Sequence, residues 1–453
     1  MLNPALQRFI PDSTSPSIHR RRVAVFAEYF PPYIGSDRRL FHLIENLQAW
    51  EAQYFITPPL RVITRRCEPA LFAYGDTFCN HDSTVLFAGF KGRYLSLPSF
   101  IHKLYRAGGL RLQLAYALSI PMLVRKALRS IKRIRPDAIV VGHPSFITGI
   151  VGVLCAKYAR LPLLLDYPDA WTSLAIETSG HRGKWVPKIM HQIERFVAAR
   201  ADRITCITRL LANAVRADGA TAPIVIIPNG ADLRNFPEPN AAPRTNGPFR
   251  ILYSGRLEKW AGTDELTDVI QQVCSQIGGR VHFMFVGDGG GAQELRKNIE
   301  GRNLGRFCTF LGFRPYEKMA EILAQCDLAI VPFPDTDTTR VSLPCKVFEY
   351  MAMGKPVIAS DLPGMREVIA DQVIWVKNAA PQELAAKILA LERDPAQCAR
   401  YAAAGAALVR GRFGWQSLSQ AFERELDATA PQRVRTLAPS LEPLAPAAFP
   451  VES

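Results

Sequence analysis

The 453-residue sequence has no run of the roughly 18 to 20 uninterrupted apolar residues that a membrane-spanning helix needs. The nearest stretch, 146–165, contains Lys157 and Arg160 and reads as a buried helix followed by a strand. Cysteine is sparse. The nine cysteines (Cys67, Cys79, Cys155, Cys206, Cys274, Cys308, Cys326, Cys345, Cys398) include no C-x-x-C pair and no Cys/His cluster at metal-ligand spacing. That argues against a disulfide framework and a structural metal, and it suits a reducing compartment. The first residues, MLNPALQRFIPDSTSPS, lack an apolar signal region, so export is not expected and a cytoplasmic location is. Acid is scarce as well: 41 Asp and Glu face 55 Lys and Arg, a net charge of +14 that calls for an anionic partner. Nucleic acid is set aside, because no binding motif accompanies the charge.

The absence of acid is sharpest between Lys91 and Arg135, where no Asp or Glu occurs. Lys91, Arg93, Lys103, Arg106, Arg111, Arg125, Lys126, Arg129, Lys132, Arg133 and Arg135 alternate there with Leu104, Tyr105, Leu110, Leu112, Leu114, Tyr116, Leu118, Ile120, Leu123 and Leu128. A solvated helix face would carry the same charge run, but the interleaved apolar residues favour a surface lying on anionic lipid, peripheral to the inner face of a membrane.

What is present is ordinary for a folded protein: 48% hydrophobic, 21% charged and 9% aromatic residues. The length favours two domains. Short β-branched or apolar runs alternate with helical patterns, the signature of parallel sheets covered by helices. In the first half the runs are 23–30, 61–64, 138–141, 163–166, 204–207 and 224–227; in the second, 251–254, 282–286, 308–311, 328–331, 357–359 and 373–376. The expected class is therefore α/β, with two Rossmann-like, doubly wound units. The organisation expected is a disordered start (1–20), a first unit (21–234), a Pro- and Asn-rich linker (235–249), a second unit (250–411), a terminal helix (412–428) and a disordered tail (429–453). Residues 67–97 show no periodicity and receive no assignment. Ligands of such sheets bind beyond the carboxyl ends of the strands, so the motif loops of both halves are expected to face one cleft.

Six patterns sit at such strand ends. Gly35-Ser36 follows the first strand and precedes a helix expected to begin near Asp37, where backbone can approach an anion. His143, in Val-Gly-His-Pro-Ser, ends another strand and is a candidate catalytic group. Asp166 and Asp169 end the next, suited to act as base, hydroxyl acceptor or helix cap. Gly255-Arg256 closes the first strand of the second half, with Lys259 three residues on, a pair fit to neutralise a diphosphate. Val286-Gly287-Asp-Gly289-Gly-Gly291 is a strand, a glycine turn and a helix, without the G-x-G-x-x-G spacing of a dinucleotide site. Last, in Ser342-Leu343-Pro-Cys345-Lys346-Val-Phe-Glu349-Tyr-Met-Ala-Met-Gly354-Lys-Pro, amides at a helix start can meet a pyrophosphate while Glu349 accepts ribose hydroxyls.

Taken in order with Pro228-Asn-Gly-Ala-Asp232, Phe310-Leu-Gly-Phe-Arg314 and Cys326-Asp-Leu-Ala-Ile-Val-Pro332, these motifs resemble retaining glycosyltransferase family 4 on a GT-B scaffold, over residues 22–425. The resemblance implies transfer of a sugar from a nucleotide-sugar donor to a lipid-linked or saccharide acceptor of envelope polysaccharide assembly, with retention of configuration and no metal or other cofactor. It implies Glu349 on the ribose and Arg256 on the diphosphate. The backbone near Leu343, Cys345 and Lys346, with the Gly287 and Gly289 turn, would receive the phosphates. Phe313 and Arg314 would lie beside the base, His143 near the donor sugar, and Gly35, Ser36 and Asp169 at the phosphate and acceptor loop. Three positions depart from the family pattern. Val341 stands for the first of two glutamates separated by seven residues, which leaves that contact to backbone or Asp337. Trp260-Ala261 replaces the usual lysine, so Lys259 is its candidate substitute, and Ser36 replaces a frequent glycine. A sugar-nucleotide epimerase or hydrolase on the same scaffold, or a non-catalytic membrane-associated glycan-binding subunit, are the competing expectations.

Overall fold

The computed structural model describes residues 20–28, 35–57, 84–87, 89–95, 97, 101, 104, 109–142, 146–179, 185–238, 247–377 and 380–430. Two sheets organise them. The first contains β1 (Arg21–Ala27), β2 (Trp50–Ile56), β3 (Thr84–Phe87), β4 (Phe90–Tyr94), β5 (Ala138–Gly142), β6 (Leu163–Tyr167), β7 (Arg203–Cys206) and β8 (Ile224–Ile226), in the order β3-β4-β2-β1-β5-β6-β7-β8. All its pairs are parallel except the β3–β4 hairpin at the edge, whose turn uses Gly89 at φ 82°. Around it pack α1 (Gly35–Glu45), α2 (Gly109–Ile134), α3 (Phe146–Ala159), α4 (Trp171–Ser179), α5 (Trp185–Ala198) and α6 (Arg209–Ala217). Central strands are covered on both faces, which is why β5 and β6 are apolar and fully buried runs.

The second sheet is wholly parallel, in the order β11-β10-β9-β12-β13-β14. Its strands are β9 (Phe249–Ser254), β10 (Val281–Val286), β11 (Cys308–Gly312), β12 (Leu328–Val331), β13 (Val357–Ser360) and β14 (Ile374–Val376). Its helices are α7 (Leu266–Ile277), α8 (Ala292–Gly301), α9 (Met319–Ala324), α10 (Asp337–Val341), α11 (Cys345–Ala352), α12 (Pro363–Ile369), α13 (Pro381–Arg393) and α14 (Pro395–Arg412). The two doubly wound units expected from the sequence are both present.

A last helix, α15 (Trp415–Thr429), leaves the second unit and packs on α1 of the first. Trp415, Leu418, Phe422 and Leu426 join the core formed by one face of β1 and β2 with Leu40, Leu43 and Ile44. The Ser419 hydroxyl donates to the Leu43 carbonyl at 2.5 Å, and Arg203 pairs with Glu425 at 2.5 Å.

Three expectations need correction. Strand β2 was absent from the sequence reading because Glu51 and Gln53 interrupt its apolar run, although they point away from the core that Trp50, Ala52 and Tyr54 fill. The unassigned segment contributes β3 and β4, while the run at 61–64 lies outside the described residues. The linker is shorter than 235–249: β9 begins at Phe249, and Phe236 is fully buried with its ring edge-on to Tyr316 at 5.3 Å.

Candidate functional site

The carboxyl ends of the two sheets meet. In the first unit Asp166, at the end of β6, is fully buried and bonded by the Arg39 guanidinium of α1 at 2.9 and 3.0 Å and by the Thr205 hydroxyl at 2.7 Å. Arg39 also donates to the Pro228 carbonyl at 2.9 Å and to Asn229 Oδ1 at 3.1 Å. Asn229 passes the connection on, its Nδ2 donating to the Leu343 carbonyl of the second unit at 2.5 Å. The Pro228-Asn-Gly motif is thus a strut between α1, which holds Arg39, and the loop that leads into α11. A second bridge runs from the Thr208 hydroxyl to the Val341 carbonyl at 3.1 Å.

Helix α11 is the centre of the site. Pro344 occupies its N-cap without a side-chain cap, so the first amides are left for another acceptor. The Tyr350 hydroxyl donates to Ser254 Oγ or accepts from it at 2.8 Å and accepts from the Ser254 amide at 2.9 Å, which pins the helix to the end of β9. Glu349, one turn into the helix, is 9% exposed. Burial pushes its carboxyl up to about 7; Arg38, Lys346 and the Tyr316 hydroxyl oppose the rise. Lys346 lies closer to the cleft, its ammonium donating to the Ser254 carbonyl at 2.8 Å, and burial pulls it down to about 7 against the pull of Glu349. Arg38, from the same helix turn as Arg39, lies 3.7 Å over the Tyr316 ring.

Glycines let the strand ends converge here. Gly255 at φ 125° and Gly287 at φ 117° abut so closely that a Cβ on Gly287 would collide with the Gly255 carbonyl, and one on Gly289 with that of Leu257. Arg256 donates to Glu258 at 2.8 Å, and the same Glu258 oxygen accepts from the Gly290 amide at 2.9 Å, so the Gly-Arg turn and the glycine loop are fastened to each other. Phe313 is 50% exposed and Arg314 is exposed beside it, on the loop between β11 and Tyr316.

The sequence-derived candidates therefore divide. Glu349, Lys346, Cys345, Leu343, Arg256, Gly287 and Gly289 belong to one connected region, with Phe313 and Arg314 at its margin. Asp169 is part-buried just beyond β6; burial pushes it up to about 7, with Arg39 lowering and Asp166 raising it, and it influences Cys345 across the cleft. Lys259 stands apart: 65% exposed, it pairs with Asp264 at 3.6 Å and Glu294 at 3.5 Å, which raise its pKa. Asp337 is exposed on the first turn of α10. Helix α1 begins at Gly35, two residues before the start near Asp37 expected from the sequence, and His143 lies outside the described residues.

Arg38, Arg39, Tyr316 and Asn229 are site residues that sequence reasoning did not single out. Two consecutive arginines in the first turns of a helix oppose its dipole, and that was the available signal. One group among the described residues could hold a metal ion, His42, Glu45 and Asp232, but Arg234 already bonds both carboxylates, at 2.7 and 2.9 Å.

Residues 35–230 match the glycosyl transferase 4-like domain and residues 237–407 the domain described as glycosyl transferases group 1. Among curated relatives, the D-inositol 3-phosphate glycosyltransferase of Segniliparus rotundus is 26% identical over 60% of this chain and 62% of its own length. The amylovoran biosynthesis glycosyltransferase AmsK of Erwinia amylovora is 27% identical over 39% of this chain and 45% of its own. The chain thus spans less than two thirds of these relatives. Among solved structures, sucrose-phosphate synthase from Thermosynechococcus elongatus superposes with a TM-score of 0.66 at 19% identity, covering 90% of this chain and all (100%) of that one. Anabaena HepE in complex with UDP gives 0.62 at 20% identity, over 90% and 100%. The first unit thus matches a glycosyl transferase 4-like domain and the second a glycosyl transferases group 1 domain, on the GT-B fold of two Rossmann-like units.

Proposed function

We propose that the protein is a retaining glycosyltransferase that takes a sugar from a nucleoside diphosphate and places it on a lipid-linked or saccharide acceptor of envelope polysaccharide. The observation that carries this reading is the enclosed Glu349 with Lys346, Arg38 and Tyr316 around it, one turn into the uncapped helix α11, whose Lys346 reaches the glycine turn at Gly255. A carboxylate with so little water is costly unless a ligand's hydroxyls complete it, and ribose hydroxyls do so. Uncapped amides and Arg256 then stabilise the departing diphosphate, while the acceptor hydroxyl attacks from the same face of the sugar. Arg256 and these amides meet the leaving group's charge without a metal. Relatives named for amylovoran biosynthesis and for lipopolysaccharide N-acetylglucosamine transfer support the acceptor class, and neighbours solved with UDP and UDP-glucose support the donor class.

Membrane contact belongs to the same proposal. No helix among the described residues is long and apolar enough to cross a membrane, but α2 presents an exposed stripe. Leu114 (49% exposed) and Leu118 (39%) mark its first half, and Arg125, Arg129, Lys132 and Arg133 its second. Elsewhere in the same run Lys91 and Arg93 lie in β4, Arg93 donates to Ser130, and the interleaved Leu123 is buried; Lys103 and Arg106 lie outside the described residues.

Thermal-shift and calorimetric titration with UDP-, GDP-, ADP- and dTDP-sugars, then incubation of the binding donor with and without membrane lipid extract, tests the reading. Selective binding with sugar incorporated into lipid is the expected result. Donor hydrolysed or epimerised without acceptor would move the assignment to the rival chemistry, and folded protein that binds no donor would end it.

A further inference from the structure

We propose that the Lys346 ammonium is the second cation of the donor diphosphate site, filling the place left without a lysine at Trp260-Ala261. The inference rests on the donor-binding reading above and goes beyond it, because that reading used only the backbone around Lys346.

Three placements carry it. First, the sequence's own substitute, Lys259, is turned toward Asp264 and Glu294 at the surface. Second, the indole at 260 is part-buried and packs on Phe333 at 5.9 Å, so that segment contributes an aromatic wall and no charge. Third, Lys346 stands where the charge is missing. Its Nζ lies 2.9 Å from the position of a Cβ on Gly255, the residue that precedes Arg256 and whose carbonyl abuts Gly287.

The surroundings of that ammonium suit an anion. Its one hydrogen bond among the described residues goes to the Ser254 carbonyl, whereas an ammonium carries three donors. The remaining walls are the rings of Tyr253 at 4.5 Å and Phe333 at 5.0 Å. It forms no salt bridge among the described residues. The charged and titratable groups around it are Glu349 on the same helix, Tyr253 and Tyr350, with Arg256 and Glu258 on the adjoining turn. Glu349 is the acid of this set that interacts with Lys346, and it is the group assigned to the ribose. Burial has already drawn the lysine down to about 7, so a diphosphate arriving at its open donors would hold the proton on. The cation can reach this point because residue 255 has no side chain, which gives the Gly255 position a reason beyond backbone conformation.

The test uses the whole chain as wild type, Lys346→Met and Lys259→Met, titrated calorimetrically with UDP, GDP, ADP and dTDP and with the matching nucleosides. Expected is selective binding of one diphosphate by the wild type, weakened about 10- to 100-fold in Lys346→Met, as loss of a charged hydrogen bond to the ligand predicts. Nucleoside affinity should change less than about 2-fold, by the same reasoning that it lacks the charged group. The unliganded melting temperature of Lys346→Met should equal or exceed that of the wild type, since an apolar group replaces an enclosed charge. Diphosphate affinity unaltered in Lys346→Met, or lost only in Lys259→Met, would overturn the proposal. So would a parallel loss of melting temperature and nucleoside binding, which would make Lys346 a prop for α11. If the wild type binds the diphosphates and Lys346→Met binds them equally well, the donor reading survives and this inference fails; if the wild type binds none, both fall.

Discussion

Each sheet encloses charge at its carboxyl edge, and the two do so in opposite ways. In the first unit Arg39 and Asp166 are both fully buried, and every strong donor or acceptor is matched: two bonds between them at 2.9 and 3.0 Å, one from Thr205, one to Pro228, one to Asn229. In the second unit Glu349 and Lys346 sit one turn apart on α11 without an ion pair of that quality, and both have ordinary ionisation disturbed by burial, one upward and one downward. A satisfied cluster fixes geometry; an unsatisfied one stores an opening for a ligand. The difference separates scaffold from site without any appeal to which residues are chemically more reactive.

The comparison can be broken most directly at Glu349. Glu349→Ala should lower kcat/KM for transfer about 100-fold or more through lost donor binding, and Arg256→Ala should cost about 100-fold in kcat, the scale of removing one preorganised partner of a charged leaving group. Steady-state kinetics with the donor found by titration reads both. Asp166→Ala should do the reverse, leaving Arg39 buried and unpaired at a cost of about 3–5 kcal/mol of stability, seen as a large fall in melting temperature. Arg39→Met combined with Asp166→Leu should recover much of it. A third measurement concerns pH. Burial raises the folded-state pKa of Glu349 to about 7 from its ordinary value of 4.5, so its contribution is complete below 4.5 and is lost as pH rises through 7. Glu349→Gln should therefore melt like the wild type at pH 4 and higher than it at pH 8, and Asp169→Asn should behave likewise. A melting difference that grew toward acid would reverse the assignment. The smallest effect is expected from Thr205→Val, which removes one bond to Asp166 but leaves the Arg39 pair, costing about 1 kcal/mol by denaturant titration.

Much of this was legible in the sequence, because parallel central strands advertise themselves as continuous apolar runs. Runs such as Leu163–Tyr167 and Val281–Val286 need no partner to be recognised. Strand β2 and the β3–β4 hairpin escaped, since they lie toward one edge and β2 alternates polar with apolar residues. The site divided along the same line. Glu349 and the glycine turns were visible because chemistry and local motif coincide there. Arg38 and Tyr316 were not, because their meeting depends on how two units face each other, and no spacing along the chain encodes a distance of 3.7 Å between α1 and the loop after β11. Lys259 misled for a related reason: proximity in sequence to Arg256 says nothing about the acids at Asp264 and Glu294 that draw it outward.

The return of α15 to the first unit bears on how the molecule is made. Residues at positions 23 to 56 emerge from the ribosome early, yet the core that one face of β1 and β2 forms with α1 is completed only by Trp415, Phe422 and Leu426. The unit synthesised first is thus sealed last, after the entire second unit has been produced. Until then its apolar face is a standing invitation to chaperones, and severing the chain between the two units would leave one half permanently unclosed and the other with a helix that has nothing to grip.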